Sequence, residues 1–129
     1  MVYLEEASRD HTLLLVNVCL DYSGQWDIAQ SCITLMKEYH LQQLLDESDS
    51  SLLQVEKVAE QLASNLSTGD SPVDVVIRTG GEHRISNFLL WQISYAEISV
   101  VDMYWPDFTK DIMKNTLDEI AKRNRRFGK

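Results

Sequence analysis

Three short apolar, β-branched runs separated by stretches of helical spacing constrain the fold of this 129-residue chain more than any other feature. Residues 12–20 (TLLLVNVCL) are almost continuously apolar and are bounded by polar residues, the pattern of a strand buried on both faces. Residues 73–77 (VDVVI) and 98–103 (ISVVDM) are the second and third such runs. Between the first two, Ile28, Ala29, Cys32, Ile33, Leu35, Met36 and Tyr39 recur with a helical period. A second helix is expected from Ser51, which forms a capping-box pattern with Gln54, and Leu52, Val55, Val58, Ala59, Leu62 and Leu66 make its apolar stripe. Gly69 and Pro72 end it. Ser86 is the candidate N-cap of a third helix, NFLLWQISYA, whose nearly all-round apolarity predicts burial. Trp105-Pro106 then breaks the chain, and a last helix from about Thr109 to Arg125 turns Ile112, Met113, Leu117, Ile120 and Ala121 inward. Strands alternating with helices imply one α/β domain over residues 1–129, with a three-stranded parallel sheet and flanking helices.

Composition supports a globular domain. The apolar fraction is 44% and the charged fraction 25%, too apolar for a disordered chain. No run is long and apolar enough to suggest a membrane span, and the acidic start MVYLEEASRD lacks the features of a secretory signal. Cys19 and Cys32 make neither a disulfide framework nor a metal-ligand spacing, so a reducing cytoplasm is the expected setting. The net charge of −8 argues against nucleic-acid binding. Charge is uneven, however: residues 1–70 carry 12 acids, whereas the last eight residues, KRNRRFGK, carry five bases and no acid. That tail reads either as cation bias at a helix C-terminus or as an arm that meets an anion.

In parallel sheets, ligands bind beyond the carboxyl ends of the strands. At such an end, after residues 73–77, the chain reads Arg78-Thr79-Gly80-Gly81-Glu82-His83-Arg84-Ile85-Ser86-Asn87. Paired glycines permit positive φ and can expose successive N–H groups, and a following helix N-terminus would add positive potential. Arg78 and Arg84 flank the bend, and arginine matches phosphate oxygens. The pattern points to a phosphorylated ligand, although it is neither a Walker A loop nor GxGxxG. Its plainer reading is a glycine turn with arginines in surface ion pairs. His83 and Glu97 are candidates to share a Mg²⁺ with a diphosphate, a small ligand set for that ion.

The stretch RTGGEHRISNFLLWQISYAE, with WPDF at 105–108, resembles the cis-prenyltransferase family. VNVCLDYSGQWDI (16–28) is similar to that family's Asn-Tyr-Gly-Gly-Arg turn, and Arg126-Phe127-Gly128 to its C-terminal Arg-x-Gly. The resemblance implies condensation of an allylic diphosphate with isopentenyl diphosphate, forming a cis double bond and releasing diphosphate. It implies that Arg78, Gly80, Gly81, Arg84 and Ser86 bind isopentenyl diphosphate, and that Glu82 and His83 are catalytic, Glu82 by supporting the loop. His83 and Glu97 would serve Mg²⁺. Arg126 and Gly128 would reach the partner's diphosphate across a homodimer, and the helix around Phe88, Leu89, Leu90 and Trp91 would pack beneath the site.

The chain also departs from the family pattern. An Asp-Gly-Asn-x-Arg-Trp loop and a Phe-Ser-x-Glu-Asn segment are both absent, so the sequence resembles the C-terminal half of such an enzyme. Asp21, Ser23 and Gln25 stand where the family has Asn, Gly and Arg. Two functions follow as expectations: an elongating enzyme whose N-terminal catalytic half lies elsewhere, or a non-catalytic accessory subunit that lends a dimer face. Either predicts association with a second copy or a complementing polypeptide, and peripheral contact with the cytosolic membrane face.

Overall fold

The computed structural model describes residues 2–45 and 55–124. Its elements in chain order are α1 (Val2–Ser8), α2 (Gly24–Leu45), α3 (Val55–Ser64), β1 (Val75–Thr79), β2 (Glu97–Val101), a 3₁₀ turn (Trp105–Asp107) and α4 (Lys110–Ile120). The α/β class and the parallel sheet are as expected. The sheet has two described strands, not three: β1 pairs with β2 from Val75↔Glu97 to Thr79↔Val101.

The missing strand is the 12–20 run, which forms no regular element. A strand covered on both faces needs a neighbour at its edge and packing on each side. None of the described residues supplies them, and Leu13, Leu14, Leu15, Val16, Val18 and Leu20 remain between 59% and 100% exposed. The expected helix at 87–96 is also absent. Ser86, Asn87 and Leu89 take φ values of 55°, 62° and 45°, which a right-handed helix excludes, and the segment is a chain of turns. Ser86 therefore caps no helix, since a cap residue sits in the extended region. Within these turns Gln92 and Ile93 are buried, but Phe88, Trp91 and Tyr95 are exposed.

α2 begins as expected but buries an unexpected face. Asp27, Ser31 and Leu35, spaced four residues apart, form its buried stripe, while Ile33 and Met36 are exposed. The stripe faces α3, where the Ser31 hydroxyl donates to the Leu62 carbonyl at 2.6 Å. Leu66, just beyond α3, is among the few fully buried apolar side chains, with Leu35, Ile93 and Ile120. The Ser51–Gln54 cap and Leu52 lie outside the described residues.

α4 starts close to the expected Thr109. Thr109 is extended (φ −82°, ψ 166°) and its side chain accepts from the Ile112 amide at 3.4 Å. Ile120 is buried as expected and Ile112 half-buried, but Met113, Leu117 and Ala121 are exposed, and the helix ends at Ile120 rather than Arg125.

An apolar run exposed on both faces should drive association. Light scattering at roughly 100 μM is expected to show species larger than one chain. Leu15→Asp combined with Val18→Asp should shift the population toward monomer, because in an extended run these positions put a charge on each face and oppose dry contact. A wild-type chain that stays monomeric would show that the run is satisfied in solution.

Candidate anion-binding site

The β1–β2 pairing carries the chain directly into the Gly80-Gly81 bend. Both glycines have positive φ, 83° and 69°, where a side chain would strain the backbone. Their amides do not face outward as the sequence led us to expect. The Gly80 N–H donates to the Met103 carbonyl at 2.8 Å, and the Gly81 N–H to the Val101 carbonyl at 3.0 Å. The bend thus extends the sheet's hydrogen bonding over the end of β2, and these two amides cannot serve an anion. A Cβ added to Gly81 would lie 3.2 Å from the Asp102 carboxylate, so the glycine also admits close packing there. Gly80 and Gly81 act on the site through shape, not as donors.

Charged groups fill the expected positions. Arg78 is half-buried on β1, and its Nε is buried without a hydrogen-bond partner. An orphaned buried donor costs about 1–3 kcal/mol, so an acceptor arriving at Arg78 would relieve a real penalty. Arg84 pairs with Glu82 at 2.8 Å, both largely exposed. His83 and Ser86 are exposed on the same loop. The structure therefore gathers Arg78, Glu82, His83, Arg84 and Ser86 at the carboxyl ends of the strands.

Glu97 is not among them. It opens β2 in register with Val75, four residues and ~13 Å of strand away from Thr79. There it accepts from Arg123 Nη1 at 3.2 Å, and Arg123 also donates to the Ile98 carbonyl at 3.1 Å. Within one chain, His83 and Glu97 do not converge. No group of three or more His, Cys, Asp or Glu able to hold a metal occurs among the described residues. This chain's own fold does not fit the expected Mg²⁺ site. Arg123 shows that the basic tail begins with an internal ion pair; Arg126 and Gly128 lie outside the described residues.

The loop's far end is tied to the start of α2. The first four backbone amides of a helix lack internal partners. Asn87 supplies two of these acceptors: its carbonyl takes the Gly24 amide at 2.7 Å and its Oδ1 takes the Gln25 amide at 3.0 Å. Asn87 Nδ2 donates to Ser23 Oγ at 2.7 Å, and Ser23 Oγ in turn accepts a long bond from the Trp26 amide. Tyr22 packs edge-on against Phe88, with ring centroids 5.8 Å apart. Gly24 leaves no room for a side chain, since a Cβ would meet Leu90 Cγ at 2.9 Å and the Asn87 carbonyl at 3.0 Å. Gly24→Ala should destabilise the chain by about 1–3 kcal/mol in chemical denaturation.

One helical turn further, Asp27 is 2% exposed and fully engaged. Its Oδ1 accepts from the Ser67 amide and hydroxyl at 2.9 and 2.6 Å, and its Oδ2 from the Tyr22 hydroxyl at 2.8 Å. Burial pushes its carboxyl up, but the bonds from Ser67, Tyr22 and Gln92 outweigh that and hold it below the usual carboxylate value. Burial, with the Asp27 bond and charge, pushes Tyr22 up to about 12. Neither Asp27 nor Asn87 stands out in the sequence. An acid in a helix's first turn and an Asn after a Ser were the available signals, and both are common.

A half-buried arginine at the carboxyl ends of parallel strands stands where α/β proteins commonly bind ligands. Comparison with known proteins narrows the class. The putative undecaprenyl diphosphate synthase family matches residues 1–128. The ditrans,polycis-undecaprenyl-diphosphate synthase of Pseudomonas aeruginosa is 46% identical over 126 residues, covering 97% of this chain and 47% of the relative. That of Escherichia coli K12 is 42% identical over 125 residues, covering 96% and 46%. Among solved structures, a probable undecaprenyl diphosphate synthase from Campylobacter jejuni superposes with a TM-score of 0.77 at 30% identity, covering 99% of this chain and 54% of its own. Lavandulyl diphosphate synthase from Lavandula x intermedia, in complex with dimethylallyl diphosphate, gives 0.80 at 25% identity, covering 99% and 52%. The chain belongs to the undecaprenyl diphosphate synthase family of cis-prenyltransferases, and spans about half the length of the relatives it matches.

The Asp27 network yields a stability prediction with opposite pH signs. Asp27 titrates below 3.8 when folded, so its contribution is complete above that value and is lost as pH falls through the folded value. Tyr22 titrates near 12 rather than 10.0, so its contribution is complete below 10.0 and is lost as pH rises toward 12. Asp27→Ala should cost about 2–4 kcal/mol at neutral pH and flatten both limbs of the stability profile, read by thermal melts across pH.

Proposed function

We propose that this chain carries the isopentenyl diphosphate half-site of a cis-prenyl chain-elongating enzyme. The reaction joins isopentenyl diphosphate to an allylic diphosphate. The double-bond electrons of the five-carbon unit attack the allylic carbon, and the allylic C–O bond breaks with its electron pair leaving on diphosphate. A proton is then lost to form the new cis double bond. The observation that carries the reading is Arg78 Nε, buried and unpartnered at the ligand end of the sheet. Family membership and the likeness to a structure that holds an allylic diphosphate support it.

Each residue has a role set by its place. Arg78 and Arg84 meet the diphosphate of isopentenyl diphosphate with charge-assisted bonds, and the Ser86 hydroxyl donates to it. Glu82 fixes the Arg84 guanidinium, as their 2.8 Å pairing allows. Gly80 and Gly81 set the bend. Magnesium, which suits diphosphate oxygens, would draw on His83. With Glu97 at the opposite strand ends, both residues can serve one ion only from different chains, in line with the homodimer that the resemblance implies. Arg126 and Gly128 belong to the same reading as donors across that dimer. The half of the fold that the relatives have beyond this chain completes the allylic site, whether as a continuous or a complementing polypeptide. An apolar product makes peripheral membrane contact part of the reading, and among the described residues no helix is long and apolar enough to cross a membrane.

Calorimetry with isopentenyl diphosphate tests the half-site directly. Arg78→Ala should weaken binding by ~1.5–3 kcal/mol, the loss of a charge-assisted bond. Equal affinity in wild type and variant would remove Arg78 from the site. With farnesyl diphosphate, Mg²⁺ and labelled isopentenyl diphosphate, product is expected only when a polypeptide matching the rest of the relatives' length is present. No product even then would favour the accessory-subunit reading.

A further inference from the structure

We propose that Asn87 is a positioning residue for the diphosphate loop: from the loop it caps α2, and that anchorage fixes the backbone of Ser86 and so the aim of the anion-binding groups. The inference rests on the half-site reading above and adds a residue to it. Three hydrogen bonds run from Asn87 to the consecutive residues Ser23, Gly24 and Gln25, more than sixty positions earlier in the chain. Two of them satisfy helix amides that otherwise lack acceptors, so releasing Asn87 would leave the first turn of α2 open as well as the loop.

The backbone shows why a fastener is needed there. Ser86 and Asn87 both hold left-handed φ values, 55° and 62°, and Leu89 holds 45°. Serine and leucine adopt that region only at a cost, and such conformations persist where surrounding contacts over-determine them. Asn87 is the one residue of the three suited to the left-handed region, and the three hydrogen bonds converge on it. On its N-terminal side stands Ser86, whose hydroxyl serves the ligand in the proposed site. Two residues further back is Arg84, whose only ion pair among the described residues is with Glu82 on the same exposed loop. The loop is therefore held at two ends: by the glycine bend bonded to Val101 and Met103, and by Asn87 bonded to α2. Loosening the second end leaves Arg84 and Ser86 on a tether fixed only at Gly81.

Two substitutions separate side-chain anchorage from backbone conformation. Asn87→Gly keeps the left-handed conformation and the carbonyl bond to Gly24 while deleting the side-chain bonds. Asn87→Asp keeps an acceptor for the Gln25 amide, suits the positive end of a helix, and can accept from a rotated Ser23 hydroxyl. Isopentenyl diphosphate affinity is expected to fall about tenfold in Asn87→Gly and to stay within about threefold of wild type in Asn87→Asp. Because part of the anchorage acts through Ser86, the Asn87→Gly loss should be smaller in a Ser86→Ala background. Amide hydrogen exchange should rise together at Gln25 and across residues 84–86 in Asn87→Gly, with β2 unchanged.

Additive losses in the double variant, or unchanged affinity in Asn87→Gly despite faster exchange, would overturn the proposal and leave Asn87 a helix cap alone. Unchanged exchange across 84–86 would overturn it equally. Failure of the half-site reading would appear elsewhere, as absence of isopentenyl diphosphate binding by the wild-type chain.

Discussion

The hydrogen bonds from the Gly80 and Gly81 amides to the carbonyls beyond β2 govern how this molecule can meet an anion. They continue the parallel ladder past its last strand residue and fold the chain back over the sheet edge. Having used those amides internally, the bend has no backbone nest to offer. In the proposed site, anion recognition falls to side chains, and above all to Arg78, whose Nε is buried without a hydrogen-bond partner. A guanidinium presented from a strand is held more rigidly than one on a loop, because the ladder fixes its Cα on both sides. The loop that follows then carries Arg84 and Ser86 outward over the same edge.

Polar bonds, more than apolar packing, hold the rest of the described chain around that edge. Among the described residues only Leu35, Leu66, Ile93 and Ile120 are buried large apolar side chains, whereas Asp27, Ser31, Gln92, Ser99 and Thr116 are buried polar ones. Asp27 ties α2 to the turn after α3, and Ser31 ties α2 to α3 itself. Asn87 ties α2 to the ligand loop. Gln92 bonds Thr68 through its side chain and Val73 through its carbonyl, joining the turns after the loop to the approach to β1. Bonds of this kind are directional, so they specify geometry even where they add little net stability. A small apolar core makes that specification matter more.

Sequence patterns identified the elements whose determinants are local. β1, β2 and the start of α4 appear close to where they were expected because β-branched runs and a Trp-Pro break act over a few residues, whereas α4 ends at Ile120, short of the expected Arg125. The 12–20 run has a strand's composition, yet composition cannot supply the neighbouring strand and the two covering layers such a strand needs. The 87–96 segment has helical apolarity, yet the bonds from Asn87 to residues 23–25 hold its start in a left-handed conformation. Those partners lie more than sixty residues away, beyond any periodicity. The same reason hid the buried face of α2: Asp27 and Ser31 read as surface residues until Ser67 and Leu62 provide their partners. Arg78, Glu82, His83, Arg84 and Ser86 were legible as a group because they are contiguous, while Glu97 was placed beside them by chain order and lies at the other end of the sheet by register.

Charge at the ligand edge sets a last constraint. Arg78 and Arg84 bring two positive charges, but Glu82 pairs with Arg84 and Asp102 lies beside Gly81, so the local sum is close to zero. A diphosphate ester brings several negative charges, and its transfer from water to a protein edge is unfavourable unless they are matched. Hydrogen bonds from Arg78 and Ser86 provide direction without cancelling that charge. The balance has to come from cations outside the described residues, and two sources fit: the basic segment that contains Arg126, and a divalent ion carried on the diphosphates themselves. In the proposed site, the near-zero local charge and the exposed 12–20 run are two separate deficits, one electrostatic and one apolar, that added polypeptide would meet by different means.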